Sequence, residues 1–177
     1  KAIPYGIYDI NLNNGFVNVG IDHNTSEFAV ESIRQWWDNI GKKNYPNTKE
    51  LLICADGGGS NASRSRLWKF YLHEFANKNK LKITVCHFPP GTSKWNKIEH
   101  KMFSFISMNW RGKPLTDYEI IINLIEGTTT KKGLKIKAKM DKRIYMLKQK
   151  VSDEEFSKVN FVRHKINPKW NYTLSKI

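Results

Sequence analysis

Two carboxylates, Asp56 and Glu99, have the residue type and setting to do chemistry. Asp56 closes the apolar run Leu51-Leu52-Ile53-Cys54-Ala55 and is followed by Gly57-Gly58-Gly59, Ser60 and Asn61. A short apolar run ended by turn residues reads as a buried, central strand. Ligands of open α/β sheets gather outside the carboxyl ends of such strands. The glycines permit positive φ and close approach of a partner. Glu99 falls one turn into a predicted helix that follows the next strand, which brings both acids to one edge of one sheet. Hard carboxylate oxygens suit Mg²⁺ or Mn²⁺. Two such ions can clamp the attacking and leaving oxygens of an in-line phosphoryl displacement. The same spacing also fits a helix-capping Asp56 and a salt-bridged Glu99, and spacing alone does not separate the two.

The elements that must position these acids follow from periodicity. Residues 3–10 and 16–21, with Asn13-Asn14-Gly15 between them, read as an antiparallel pair. Asn24, with Glu27 completing a capping box, opens a helix whose apolar face is Ala29, Ile33, Trp36 and Ile40, and Gly41 closes it. Leu67, Tyr71 and Phe75 mark a second helix over 63–77. Residues 82–88 form a strand, so strand, helix and strand make a parallel βαβ unit. After Pro89-Pro90, a third helix over 94–109 presents Trp95, Ile98, Glu99, Met102 and Ile106 on one face. Thr116 with Glu119 boxes a fourth helix, and Ser152 with Glu155 a short fifth. Leu134, Ile136, Ala138 and Met140 alternate with Lys135, Lys137 and Lys139. That is a half-buried strand with a lysine stripe, suited to DNA contact or to protecting a sheet edge. Residues 162–174 lack periodicity and read as an extended arm.

Composition bounds the partners. The 177 residues, 40% of them hydrophobic, suffice for a packed core. No apolar run is long enough to span a membrane. The net charge is +14 and uneven: residues 1–56 carry 5 Lys/Arg against 7 Asp/Glu, and residues 131–177 carry 14 against 4. An acidic front and a basic tail suit a metal site beside a polyanion-binding surface. Cys54 and Cys86, both inside predicted strands, read as small core hydrophobes in a reducing cytoplasm. The non-Met start at Lys1 reads as that of a fragment or a cleaved product.

The words flanking the acids are more specific. Ala55-Asp56-Gly57-Gly58-Gly59-Ser60-Asn61, then Pro89-Pro90-Gly91-Thr92-Ser93-Lys94-Trp95-Asn96-Lys97-Ile98-Glu99, resembles the DDE transposases of bacterial insertion sequences. These belong to the superfamily of mariner-like transposases and retroviral integrases. The similarity is strongest to the Rhodopirellula-type DDE-domain transposases and runs from residues 1–10 through Trp110-Arg111-Gly112-Lys113 to the final Trp170-Asn171-Tyr172-Thr173. The resemblance implies an α/β fold: a ribonuclease-H-like mixed sheet flanked by helices. It also implies DNA strand cleavage and transfer with two Mg²⁺ or Mn²⁺ ions. Asp56 would be the second acid and Glu99 the third. The family's first acid lies on a core strand upstream of the segment resembling residues 1–10. The chain is therefore expected to lack that strand and acid, to bind metal weakly and to be inactive alone. Asp9 and Asp22 are possible stand-ins, though Asp22 fits better as a turn or cap residue. Residues 1–127 would form the partial catalytic core and 128–177 a basic extension packed on or beside it. Partners would be double-stranded DNA, at transposon ends and target, and a homo-oligomer, in the cytoplasm with no membrane.

Asn61, His87, Lys94, Lys97, Arg111 and Lys113 are the candidate DNA contacts. Asn61 also suits a helix cap, and His87 a strand-end ring bonded to backbone. Trp95 suits a core position better than a base-stacking platform. Two other functions compete. Gly57, Gly59 and Ala62 satisfy G-x-G-x-x-A after a strand, a nucleotide-binding pattern, although Asp56 would repel a phosphate and no acid ends the next strand. A non-catalytic DNA-binding or assembly module, a decayed transposase, is the other.

Overall fold

The structure is a computed structural model and describes residues 1–175. In chain order the elements are β1 (Ile3–Asp9), β2 (Asn14–Gly20), α1 (Ser26–Trp36), α2 (Lys42–Asn44), β3 (Glu50–Asp56), α3 (Arg66–Asn79), β4 (Lys82–Phe88), α4 (Ser104–Trp110), α5 (Tyr118–Glu126), β5 (Lys135–Asp141), α6 (Asp153–Ser157), β6 (Phe161–Arg163) and β7 (Asn171–Leu174). A π-helical stretch, Trp37–Gly41, joins α1 to α2, and another, Glu99–Phe103, leads into α4. The chain divides into two compact units, residues 1–23 with 94–145, and residues 24–93 with 146–175. It is a mixed α/β protein with two mixed sheets flanked by helices, where the sequence pattern anticipates one.

In the first unit β1 pairs antiparallel with β2, as the Asn-rich turn predicts, and β2 pairs in parallel with β5. The turn is fixed by Asp9, whose Oδ1 accepts the N–H groups of Asn11 and Leu12 at 3.0 and 3.1 Å. Asn13 takes the left-handed conformation. One face of the sheet carries Val17, Val19 and Ile136 against Met102, Ile106 and Ile125, all buried. Met102 lies so close over β2 that a Cβ on Gly15 would collide with its sulfur.

In the second unit the predicted βαβ is present: β3 and β4 are parallel, with α3 between them in sequence. Two corrections apply. Residues 161–163 and 171–174 are strands rather than an extended arm. β7 pairs antiparallel with β4 and with β6, and its Tyr172 and Leu174 are fully buried. And β3 is an edge rather than a central strand in the order β3-β4-β7-β6. Leu52 is accordingly 62% exposed and Cys54 lies at the surface, not in the core.

Capping was legible to within one residue. The box at Ser152 and Glu155 forms with both of its bonds. The first helix is capped by Thr25, not Asn24, and α5 by Asp117, not Thr116. In both cases the next residue also carries a cap-forming oxygen, and it takes the position. Gly41 does not stop the first helix. Its backbone stays helical, and the absence of a side chain makes room for the Trp37 ring.

The contact of Met102 with β2 is testable. Met102→Ala should lose about 2–5 kcal/mol in urea denaturation. Gly15→Ala should also destabilise, but less in the Met102→Ala background than alone, because the new methyl then occupies the vacated space.

Candidate functional site

Asp56 is half-buried at the carboxyl end of β3. The loop after it is held through its carbonyl oxygens. The Asp56 carbonyl accepts the Asn61 amide at 2.8 Å and meets His87 Nδ1 at 3.0 Å. The Ser60 carbonyl accepts the hydroxyl of Ser26 at 2.6 Å, and the Ser63 carbonyl accepts Lys69 Nζ. Of the three glycines only Gly59 has positive φ, at 64°; a Cβ on Gly57 would come within 3.2 Å of the Phe88 carbonyl at the end of β4. The glycines thus serve a tight turn and close strand packing.

Donor and acceptor chemistry orients the bonds behind this carbonyl. A carbonyl only accepts, so His87 carries its proton on Nδ1, and Nε2 is the acceptor. The Tyr172 hydroxyl, 2.9 Å away, therefore donates to Nε2 and in turn accepts Trp68 Nε1–H at 2.8 Å. The result is one directional chain from α3 through β7 and β4 to the end of β3. All of Trp68, His87 and Tyr172 are buried. Burial holds the His87 ring below the ordinary imidazole range. The Asp56 carbonyl works against that shift, and the charge of Lys69 adds to it. Lys69 is itself only 4% exposed; burial, then the charge of Arg163, lower it to about 8. Its Nζ sits 5.1 Å from the centre of the Tyr172 ring.

The nominated residues fall into two groups. Asn61 and His87 join Asp56 in the second unit. His87 is corrected as a DNA contact: its ring is inside and both nitrogens are engaged, the backbone-bonded alternative. Asn61 does not cap α3, since Ser65 does. Lys94, Lys97, Glu99, Arg111 and Lys113 are in the first unit. Glu99 is half-buried at the start of the π-helical stretch, and the four cations are exposed. His100 Nε2 donates to the Lys94 carbonyl at 2.6 Å, fastening the segment before Glu99. Trp95 is 58% exposed, which corrects the core placement.

The two stand-in acids have local roles. Asp9 holds the hairpin turn. Asp22 accepts the Tyr145 N–H at 2.7 Å and pairs with His23 at 2.6 Å; the Tyr145 bond is the main reason its carboxyl lies below the usual range. It therefore ties two segments of the first unit and does not cap α1. Among the described residues no group of three or more His, Cys, Asp or Glu side chains is placed to hold a metal ion. Asp56 and Glu99 fit a hard divalent cation in kind, as carboxylate oxygens, but not in number.

Sequence reasoning missed Tyr172, Trp68 and Lys69. The alternation of Asn171-Tyr172-Thr173-Leu174 was the available signal for β7. It also missed Asp141, 3% exposed, which accepts from Asn18, Arg143 and Tyr145 at 3.1, 2.6 and 2.6 Å. Burial would raise this carboxyl, but those bonds outweigh it and hold it well below the usual range.

The parallel βαβ unit and the two mixed sheets flanked by helices define a mixed α/β domain. The family model described as the Rhodopirellula transposase DDE domain matches residues 1–176, and the chain belongs to that family. No curated protein and no solved structure matches it. No helix among the described residues is long and apolar enough to cross a membrane.

Tyr172→Phe removes the hydroxyl that Trp68 and His87 share and leaves two buried polar atoms unpaired. A loss of about 1–3 kcal/mol in urea denaturation is expected. His87 also sets an acid limit. The folded state resists protonating the ring, while the unfolded chain takes the proton up near pH 6.5. The stability present above that pH is therefore lost as the pH falls below it. In thermal unfolding between pH 7.5 and 5, His87→Gln should show a shallower fall than the parent. His73, whose pKa is likewise lowered by burial, keeps part of the slope.

Proposed function

We propose that the chain is the catalytic part of a transposase that cleaves and transfers DNA strands, built on a ribonuclease-H-like plan, with Asp56 and Glu99 as two of its acidic metal ligands. The observation that carries the reading is Asp56 at the end of β3, on a loop whose carbonyls are fixed by Asn61, His87, Ser26 and Lys69. The family match over residues 1–176 supports it. A bound Mg²⁺ or Mn²⁺ would supply Lewis-acid stabilisation of charge at the scissile phosphate. The chain's own residues do the rest. The His87 and Asn61 bonds hold the backbone from which the Asp56 carboxylate projects, so the ligand needs little reordering on binding. Lys94, Lys97, Arg111 and Lys113 are exposed cations for the DNA backbone, and Trp95 offers a face on which a base can stack.

Among the described residues no group of three acids is placed to hold a metal ion, a shortage that bears on activity. On this reading a third carboxylate completes the site, and the chain by itself is expected to be inactive. The same shortage favours the second reading, a DNA-binding module that never cuts. A chain given an acid-bearing amino-terminal extension decides between them. With Mn²⁺ it should nick duplex DNA. Asp56→Asn or Glu99→Gln should each cut the rate on the order of 100-fold or more while duplex binding persists. Binding without nicking by the extended protein would leave the module reading in its place.

A further inference from the structure

The lysine stripe of β5 has no part in the acid site or in the core. β5 is an edge strand, paired only with β2 among the described residues. Ile136 points into the core, while Lys135, Lys137 and Lys139 are exposed on the other face. Alternate residues of a strand stand roughly 6.6 Å apart, so the three ammonium groups form a row about 13 Å long. Lys131 and Lys132 precede the row and Lys142 follows it, all exposed.

The row is not neutralised. Some exposed cations elsewhere are paired with acids, Lys42 with Asp38, Arg66 with Asp153, Lys82 with Glu50 and Lys158 with Glu154, whereas no ion pair among the described residues involves Lys135, Lys137 or Lys139. Between residues 131 and 143 the sequence holds one acid, Asp141, which is buried and bonded to Arg143, and one carboxylate from outside that span, Glu126, reaches the strand, against six lysines. Edge protection does not account for six lysines. The ladder N–H of Ala138, in the middle of the strand, is already taken by Glu126 at 2.9 Å, which obstructs pairing by another chain there.

From this we infer that the exposed, lysine-bearing face of β5 is a docking strip for the phosphate backbone of duplex DNA, indifferent to sequence. The inference rests on the reading that this chain acts on DNA. The ligand chemistry follows from the residues. Lysine ammoniums are point charges that suit phosphate, and the row holds no Arg, Asn or Gln to read base edges. A duplex strand presents one phosphate per 3.4 Å of axis, so a row of this length faces several at once.

The test is fluorescence anisotropy of a duplex of arbitrary sequence, in EDTA, between 50 and 200 mM salt. Replacing Lys135, Lys137 and Lys139 by Gln should flatten the slope of log K against log salt by about 2.7, at roughly 0.9 for each phosphate no longer neutralised. Removing the same charge from the second unit, with Lys49, Lys78 and Lys80 changed to Gln, should change the slope far less. The triple Glu variant keeps the edge charged and serves if the Gln variant aggregates; it should bind still more weakly. An unchanged slope in the stripe variants, or an equal loss in both sets, overturns the inference. If Mn²⁺-dependent nicking by the extended chain survives that outcome, the strip alone is wrong. If the parent chain binds no duplex, the DNA reading falls with it.

Discussion

The carbonyl oxygen of Asp56 is the point on which the second unit is ordered. It lies at the end of an edge strand, where the backbone has ladder partners on one side only. An edge strand terminus followed by three glycines would fray without tertiary bonds. Two side chains prevent this: Asn61, from the loop itself, and His87, from the neighbouring strand. The His87 bond needs the ring's proton on Nδ1, and acceptance from Tyr172 at Nε2 needs the ring to be neutral. The Tyr172 hydroxyl enforces that tautomer, since it donates to Nε2 and accepts from Trp68. A residue near the carboxyl end of the chain thus sets the state of a bond at β3. Tyrosine suits the position because its ring fills core while its hydroxyl both donates and accepts.

The first unit meets a similar demand differently. Asp141 is buried at the end of β5 and would be costly as an isolated charge. Arg143, Tyr145 and Asn18 surround it, so the charge is kept and becomes a fastening for the segment after the strand. Asp22 holds the same segment through the Tyr145 N–H. In both units an ionisable group that could pass for a site residue does structural work. Asp141, Asp22 and His87 each have bonding groups supplied from within their own unit.

Much of this was readable from the residues, and the gaps have physical causes. β4 and the alternation of β5 were legible because period-2 patterns with a wet face are unambiguous. The strand ending at Asp56 was legible, but its place was not. Leu51-Leu52-Ile53-Cys54-Ala55 has the composition of a central strand, yet Leu52 and Cys54 face solvent. Apolar composition reports a preference for burial and carries no information on sheet order. β6 and β7 were missed because each is only a few residues long, and they hold their place through Tyr172 and Leu174 against β4, a contact remote in sequence. Cap positions slipped by one at Asn24-Thr25 and at Thr116-Asp117, where two cap-forming residues are adjacent.

Glu99 shows how local geometry can keep a carboxylate apart from the packing of its own helix. In a regular α-helix Glu99, Met102 and Ile106 share a face at i, i+3 and i+7. A carboxylate on that face would be carried into the core with the two apolar residues. Met102 and Ile106 are indeed buried, at 0% and 2% exposure, yet Glu99 is only half-buried. The π-helical stretch from Glu99 to Phe103 inserts an extra residue into the turn. Because one residue advances a helix by about 100°, the insertion turns the segment before it out of register with the helix after it. The apolar face beyond the insertion can then pack on the sheet without drawing the acid in. π-Bulges of this kind are frequent at functional sites. Here the bulge lets one short stretch bury methionine and isoleucine while leaving a carboxylate within reach of solvent and ions.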